Sequence, residues 1–188
     1  NAFDHQTYAQ ISAGGHSDLR VLKRHVDEKT GKKKTTHDLS QLKSLPPFLN
    51  LTSSNGGWRI GLIDEADTMN RFGQNALLKI LEEPPKKSLL ILITRSVGAL
   101  IPTIRSRSRV IHFKPLSNDH MRSLVHQVDP SLSTEDQDAL LTLANGQIGI
   151  AKKYADSGAI DVFTKVLKSL ETWPKLDWDL VYSLANQL

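Results

Sequence analysis

The 188-residue chain contains no cysteine, which excludes disulfides and thiolate metal sites and fits a reducing cytoplasm. It has no apolar run approaching a membrane span and no secretory leader at its start. Its seven histidines show no HExxH or comparable spacing, so no metal site is proposed. It also opens on Asn1 without an initiator methionine, and is read as a piece of something longer. What is present is ordinary for one to two globular domains: 39% hydrophobic and 23% charged residues. The net charge of +4 and a pI near 9.3 are compatible with a polyanionic partner, a weak indication by itself.

Element signals divide the chain in two. Residues 2–12 read as the tail of a helix closed by Gly14-Gly15, and residues 18–22 as a short buried strand. A polar loop over 27–36 carries Lys29, Lys32, Lys33 and Lys34. Residues 38–51 predict a helix that Pro46-Pro47 must break or kink. The nearly continuous apolar runs 58–63 and 89–94 predict strands buried on both faces, and 109–113 a third. Between the first two, residues 71–83 predict a helix stopped by Pro84-Pro85. Strands alternating with helices imply a parallel, helix-covered α/β sheet. Past Pro115 no convincing strand is found; helices are predicted over 117–128, 134–144, from 147 onward, 159–171 and 176–187. There is no internal repeat.

Three local patterns could carry chemistry. Asp64-Glu65, followed by Asp67, ends the first long strand, where ligands of open α/β sheets bind. One carboxylate there can hold Mg²⁺ and the next can orient an attacking water; the alternative is an acidic turn capping the next helix. Thr94, at the end of the neighbouring strand, can report on a γ-phosphate or water, or simply cap a turn. Arg105, Arg107 and Arg109 alternate before a predicted strand, which would present one or two of them to a phosphate; a solvated basic face is the alternative. A phosphate loop, Gly-x₄-Gly-Lys-Ser/Thr, is missing. Gly31-Lys32-Lys33 imitates its end, but no glycine precedes it at the right spacing and Lys33 stands where a hydroxyl is needed.

Taken in order, Ile63-Asp64-Glu65-Ala66-Asp67, Asn75-Ala76-Leu77-Leu78-Lys79, Leu81-Glu82-Glu83-Pro84-Pro85, Leu92-Ile93-Thr94 and Ile104-Arg105-Ser106-Arg107-Ser108 closely resemble one family. These blocks are similar to the AAA+ subunits of the bacterial DNA polymerase III clamp loader, over roughly residues 12–155. Within that family, Gly14-Gly15-His16-Ser17-Asp18-Leu19 resembles the Gly-x-His-Pro-Asp segment of delta-prime subunits, with Ser17 in place of proline. Gly149 stands where motor subunits carry a sensor arginine. Against this, Asp64-Glu65 is more motor-like than the degenerate acidic motif common in delta-prime, and Ser108 replaces the cysteine of the usual Ser-Arg-Cys.

The resemblance implies a partial AAA+ P-loop-type parallel sheet with flanking helices over 1–115, lacking the P-loop strand. An all-α lid domain over 116–158 and the start of a helical collar over 159–188 would follow. The loop-bearing strand would precede Asn1, and the sheet edges so exposed invite self-association or rearrangement. In function it implies a delta-prime stator of the complex that loads the sliding clamp onto primed DNA. Arg107 would be an arginine finger acting in trans on a neighbouring motor (gamma/tau) subunit, with ATP and Mg²⁺ at that interface. Asp64 and Glu65 would be an inherited, idle acidic motif and Thr94 a sensor-like residue. No independent ATPase is expected from a chain that belongs to a DNA-directed DNA polymerase, that is nucleotidyltransferase, holoenzyme. The implied partners are gamma/tau, delta, the clamp and primer-template DNA, in the cytoplasm. Two other readings stay open: a gamma/tau motor subunit cut before its P-loop, and a basic DNA-binding module using Lys29 to Lys34 and the arginines.

Overall fold

The computed structural model describes residues 5–27, 30–54 and 56–171. The predicted helix over 176–187, most of the anticipated collar segment and Lys29 lie outside these residues. The chain divides into two compact units, Asn1–Ile111 and His112–Leu188.

In the first unit α1 (His5–Ser12) ends at Gly14, whose φ of 70° turns the chain toward β1 (Leu19–Leu22). Then follow α2 (Leu39–Lys43), α3 (Leu45–Asn50), β2 (Arg59–Ile63), α4 (Arg71–Ala76), α5 (Leu78–Glu82), β3 (Ser88–Leu92) and α6 (Pro102–Ser106). The sheet is parallel, in the order β1-β2-β3, with Leu22 opposite Ile63 and Ile63 opposite Leu92. One face packs on α3, which α2 joins to α4. At Gly61 a β-carbon would lie 3.0 Å from a Leu45 methyl, so the glycine permits this close helix–strand approach. Leu42, Leu45, Ile63, Leu77 and Ile104, each at most 1% exposed, form the centre of the core.

The helix predicted over 38–51 is broken beside Pro46-Pro47, as expected. α2 ends at Lys43, Ser44 separates it from α3, and the prolines sit in the first turn of α3, where a missing N–H and a fixed φ are tolerated. The predicted helix over 71–83 is divided at Leu77, whose N–H bonds to the Gln74 carbonyl three residues back. The predicted strand over 109–113 is not formed. Among the described residues no strand lies beside it to take its backbone hydrogen bonds, and Val110, Ile111 and Phe113 stay 44%, 70% and 94% exposed. A high β-propensity makes a strand only where a ladder partner exists.

A buried ionic cluster joins the turn before β1 to the start of β2. Asp18 accepts hydrogen bonds from the Ser53 hydroxyl (2.9 Å), the Ser54 hydroxyl (2.7 Å) and the Ser54 N–H (3.0 Å). Its oxygen also lies 3.3 Å from Nη2 of Arg59. Arg59 donates from Nε and Nη2 to the Thr52 carbonyl and, with Arg20, lies against the Phe48 ring. The Ser54 hydrogen bonds first, then Ser53 and Arg59, hold the Asp18 carboxyl down at about 2 against an unfolded value near 3.8. A depressed folded pKa contributes stability that is fully present above the unfolded value and is lost as pH falls through the folded one. The urea midpoint of the parent should therefore drop between pH 4 and pH 2 more steeply than that of Asp18→Asn; parallel profiles would disprove this role.

The second unit is helical: α7 (Asn118–Val128), α8 (Thr134–Ala144), α9 (Ile148–Asp156) and α10 (Ala159–Glu171). Ser117 and Ser133 cap α7 and α8 by accepting from the N–H groups of His120 and Asp136. Met121, Leu140, Ala144, Ala151 and Ile160 meet in its core, so α10 packs with the preceding helices. Gly146 has φ +75°, and a β-carbon there would fall 2.5 Å from Pro115 Cβ and 2.7 Å from the Leu116 carbonyl. Gly146→Ala should lower stability by about 1–3 kcal/mol from the backbone alone, with the clash adding to it, as read by thermal unfolding.

Candidate functional site

The carboxyl ends of the three strands bring together residues far apart in sequence. The chain leaves β2 through Asp64, whose N–H bonds to the Leu22 carbonyl, and turns at Glu65 in the left-handed region (φ 53°). A short 3₁₀ turn, Ala66–Thr68, follows. The Ala66 N–H bonds to the Ile93 carbonyl, tying this turn to the end of β3. His37, buried, donates from Nε2 to the Asp64 carbonyl at 2.8 Å, which fixes the backbone at the acidic pair.

The two carboxylates differ in their surroundings. Glu65 is gripped by Arg24: Nε to Oε2 at 2.7 Å and Nη2 to Oε1 at 2.8 Å, with Lys33 Nζ at 3.9 Å. The Arg24 hydrogen bonds and charge hold the Glu65 carboxyl below its usual range, and Glu65 in turn raises Arg24. A carboxylate held this way has little basicity left for orienting a water. Asp64 is half-buried, and its carboxylate makes no hydrogen bond or ion pair among the described residues. Asp67 lies 3.5 Å from Arg95.

These residues do not by themselves make a metal–nucleotide site. Magnesium at such a place is held by one or two carboxylates together with substrate phosphates. Here one carboxylate is uncommitted, and the described residues include no glycine-rich phosphate loop. Thr94 lies two residues beyond β3, with its hydroxyl donating to the Ser96 carbonyl (2.9 Å) and accepting from the Ser96 N–H (3.1 Å), which closes a local turn.

The arginine series is not extended as its alternation predicts. Residues 102–106 are helical in α6, so Arg105 lies in the last turn, Arg107 at the C-cap and Arg109 beyond it. All three are exposed. Arg107 alone among them is organised: Nη1 donates to the Thr103 carbonyl (3.2 Å) and the Ser106 hydroxyl (3.3 Å), and Nη2 lies 3.1 Å from Glu82 Oε1. Ile104, fully buried, anchors the helix beneath it.

Two residues escaped the sequence reading. Arg24 has the same offset from Leu22 as Glu65 has from Ile63, and the parallel register Leu22–Ile63 brings them level. That signal is available only once the pairing of β1 with β2 is assumed. Gln74, 4% exposed, donates to the carbonyls of Met69 (3.0 Å) and Ala99 (3.2 Å) and accepts from the Ile101 N–H (2.7 Å). It fastens α4 to the segment that starts α6, and no sequence pattern marks it. Gly149, in α9, is exposed with nothing within 4 Å of a β-carbon position, so no packing demands a glycine there.

Comparison with known proteins agrees with this arrangement. The model of the family described as DNA polymerase III, delta subunit, matches residues 4–117. The DNA polymerase III subunit delta' of Pseudomonas aeruginosa is 37% identical over 97 residues, which cover 52% of this chain and 28% of that protein. The gamma/tau subunit of Mycobacterium tuberculosis is 39% identical over 71 residues, 38% of this chain and 12% of that one. The chain thus spans only about a quarter of the length of the delta' relative. In fold it is similar to a point mutant of RuvB from Thermotoga maritima, with a TM-score of 0.52 at 13% identity, covering 94% of this chain and 55% of that one. The parallel sheet with flanking helices and the helical unit that follows it in the chain therefore have the AAA+ type of fold, and, with its family model matched over more than half its length, the chain belongs to the DNA polymerase III delta subunit family.

Proposed function

We propose that this chain is the delta-prime, or stator, type of clamp-loader subunit, and that Arg107 acts in trans at the ATP site of a neighbouring motor subunit. The observation that carries this reading is the contrast between two charged groups. Glu65, the residue a resident ATPase would need, is bound inward by Arg24, whereas Arg107 stands exposed at the end of a well-anchored helix. Gly149, where a motor subunit would carry its sensor arginine, supports the same view. In this reading ATP and Mg²⁺ lie at the interface with the gamma/tau neighbour. Delta, the sliding clamp and primer-template DNA are reached through the assembled complex in the cytoplasm. No helix among the described residues is long and apolar enough to cross a membrane.

The uncommitted Asp64 and the gamma/tau relative favour a second reading, a motor subunit with its own site. Two measurements separate them. In the stator reading, Arg107→Ala abolishes DNA-stimulated hydrolysis by the reconstituted complex and Asp64→Ala does not. In the motor reading, Asp64→Ala abolishes it.

A further inference from the structure

Glu82 is the last residue of α5, placed there by the stop that Pro84-Pro85 imposes. Its Oε1 takes Nη2 of Arg107 at 3.1 Å, while Nη1 of the same guanidinium faces the Thr103 carbonyl and the Ser106 hydroxyl. Both terminal nitrogens of the fork are thus directed at acceptors of the chain itself. An arginine meets a phosphate through those same nitrogens. Contact with Glu82 and contact with a phosphate oxygen therefore compete for Nη2.

We propose that Glu82 is a positioning residue that stows Arg107 against the end of α5, and that Arg107 exchanges this carboxylate for a nucleotide phosphate when a neighbouring site closes on it. The proposal rests on the reading of Arg107 as a finger. The pair is built to give way: the Arg107 side chain is 37% exposed and that of Glu82 49%. Ion pairs so exposed shift an equilibrium by only about 1.5- to 5-fold. The Thr103 and Ser106 contacts are neutral and keep the guanidinium near its perch after Glu82 lets go. A carboxylate left beside an arriving phosphate also repels it, so both effects of Glu82 oppose nucleotide binding.

The test is a comparison of nucleotide affinity and turnover in the reconstituted complex. Glu82→Gln should lower the half-saturating ATP concentration about 1.5- to 5-fold with kcat unchanged, and the gain should shrink as salt is raised. Glu82→Ala, which removes the charge and the acceptor together, should move affinity in the same direction. Binding of a fluorescent, non-hydrolysable ATP analogue should show a smaller gain from Glu82→Gln once Arg107 is alanine, because only the direct repulsion of the phosphate then remains; an equal gain in both backgrounds would overturn the stowing. Damage to the fold would weaken binding, so a gain that depends on Arg107 cannot come from disruption. Half-saturation unchanged or raised by both substitutions, with Arg107→Ala still inactive, would overturn the stowing and leave the finger standing. Full hydrolysis by Arg107→Ala would overturn both.

Discussion

Replacing Arg107 with alanine is expected to lower DNA-stimulated ATP hydrolysis by the reconstituted complex about 10³- to 10⁵-fold, or roughly 4–7 kcal/mol of transition-state stabilisation. The size follows from what a finger does: it places a fixed positive charge where the transferring phosphoryl group gathers negative charge, in a site from which water is excluded. Of the other candidate groups, Glu65 is ion-paired with Arg24 and the Thr94 hydroxyl is used by its own turn, which leaves Asp64 as the one whose replacement separates the two readings. The fold should be indifferent to the change. Arg107 is exposed and its ion pair with Glu82 is at the surface, so stability should stay within about 0.5 kcal/mol. Arg105→Ala and Arg109→Ala serve as controls, because neither guanidinium makes an ion pair among the described residues. A loss shared equally by all three would point to general electrostatics rather than a finger.

Gln74→Leu should lower unfolding stability by roughly 2–4 kcal/mol, from one buried donor and two acceptors left without their partner at about 1–3 kcal/mol for each group not rescued by water. Leucine fills similar volume, so the loss would come from polarity rather than from a cavity. That is a large share of the roughly 5–15 kcal/mol that holds a typical domain together. Gln74→Glu keeps the acceptor for Ile101 but turns an oxygen toward two carbonyls, and should be no better. Because Gln74 ties α4 to the segment opening α6, it also sets the seat of Arg107. Chemical denaturation gives the first quantity, and hydrolysis by the reconstituted complex gives the second. A Gln74→Leu chain with parental stability would show that the buried carbonyls find other donors.

What the sequence disclosed follows a physical division. The strands predicted over 58–63 and 89–94 were legible as continuous apolar runs, and α7 and α8 because Ser117 and Ser133 announce them. The expectation of burial on both faces fails for β3, whose alternate residues Leu89 and Ile91 are 45% and 37% exposed. The segment 109–113 has the same composition as a strand and is not one, since strand formation depends on a neighbour that composition does not reveal. Pro46-Pro47 read as a break and are one: the predicted helix divides at Ser44, and the prolines open its second part, α3. At the site, Asp64, Glu65 and Arg107 were visible as motifs. Their surroundings were not: the pairings of Glu65 with Arg24 and of Arg107 with Glu82 are made by the tertiary fold, across strands in one case and between two short helices in the other.

The register of the sheet has a kinetic consequence. Leu19 pairs with Ile60, and Ile60 with Leu89, so every rung of the ladder joins residues roughly thirty to forty positions apart. Chain closure of that length must precede any reward from pairing, which slows folding, whereas the contacts of α8 with α7 and with α9 join helices that follow one another in sequence. In a refolding experiment followed by far-ultraviolet circular dichroism, a fast phase should carry the helices of the second unit. A slower one should track the burial of Arg59 and the rest of β2. Until that slower step is complete, Arg24 has no Glu65 to hold, and the charge arrangement on which the site depends does not yet exist.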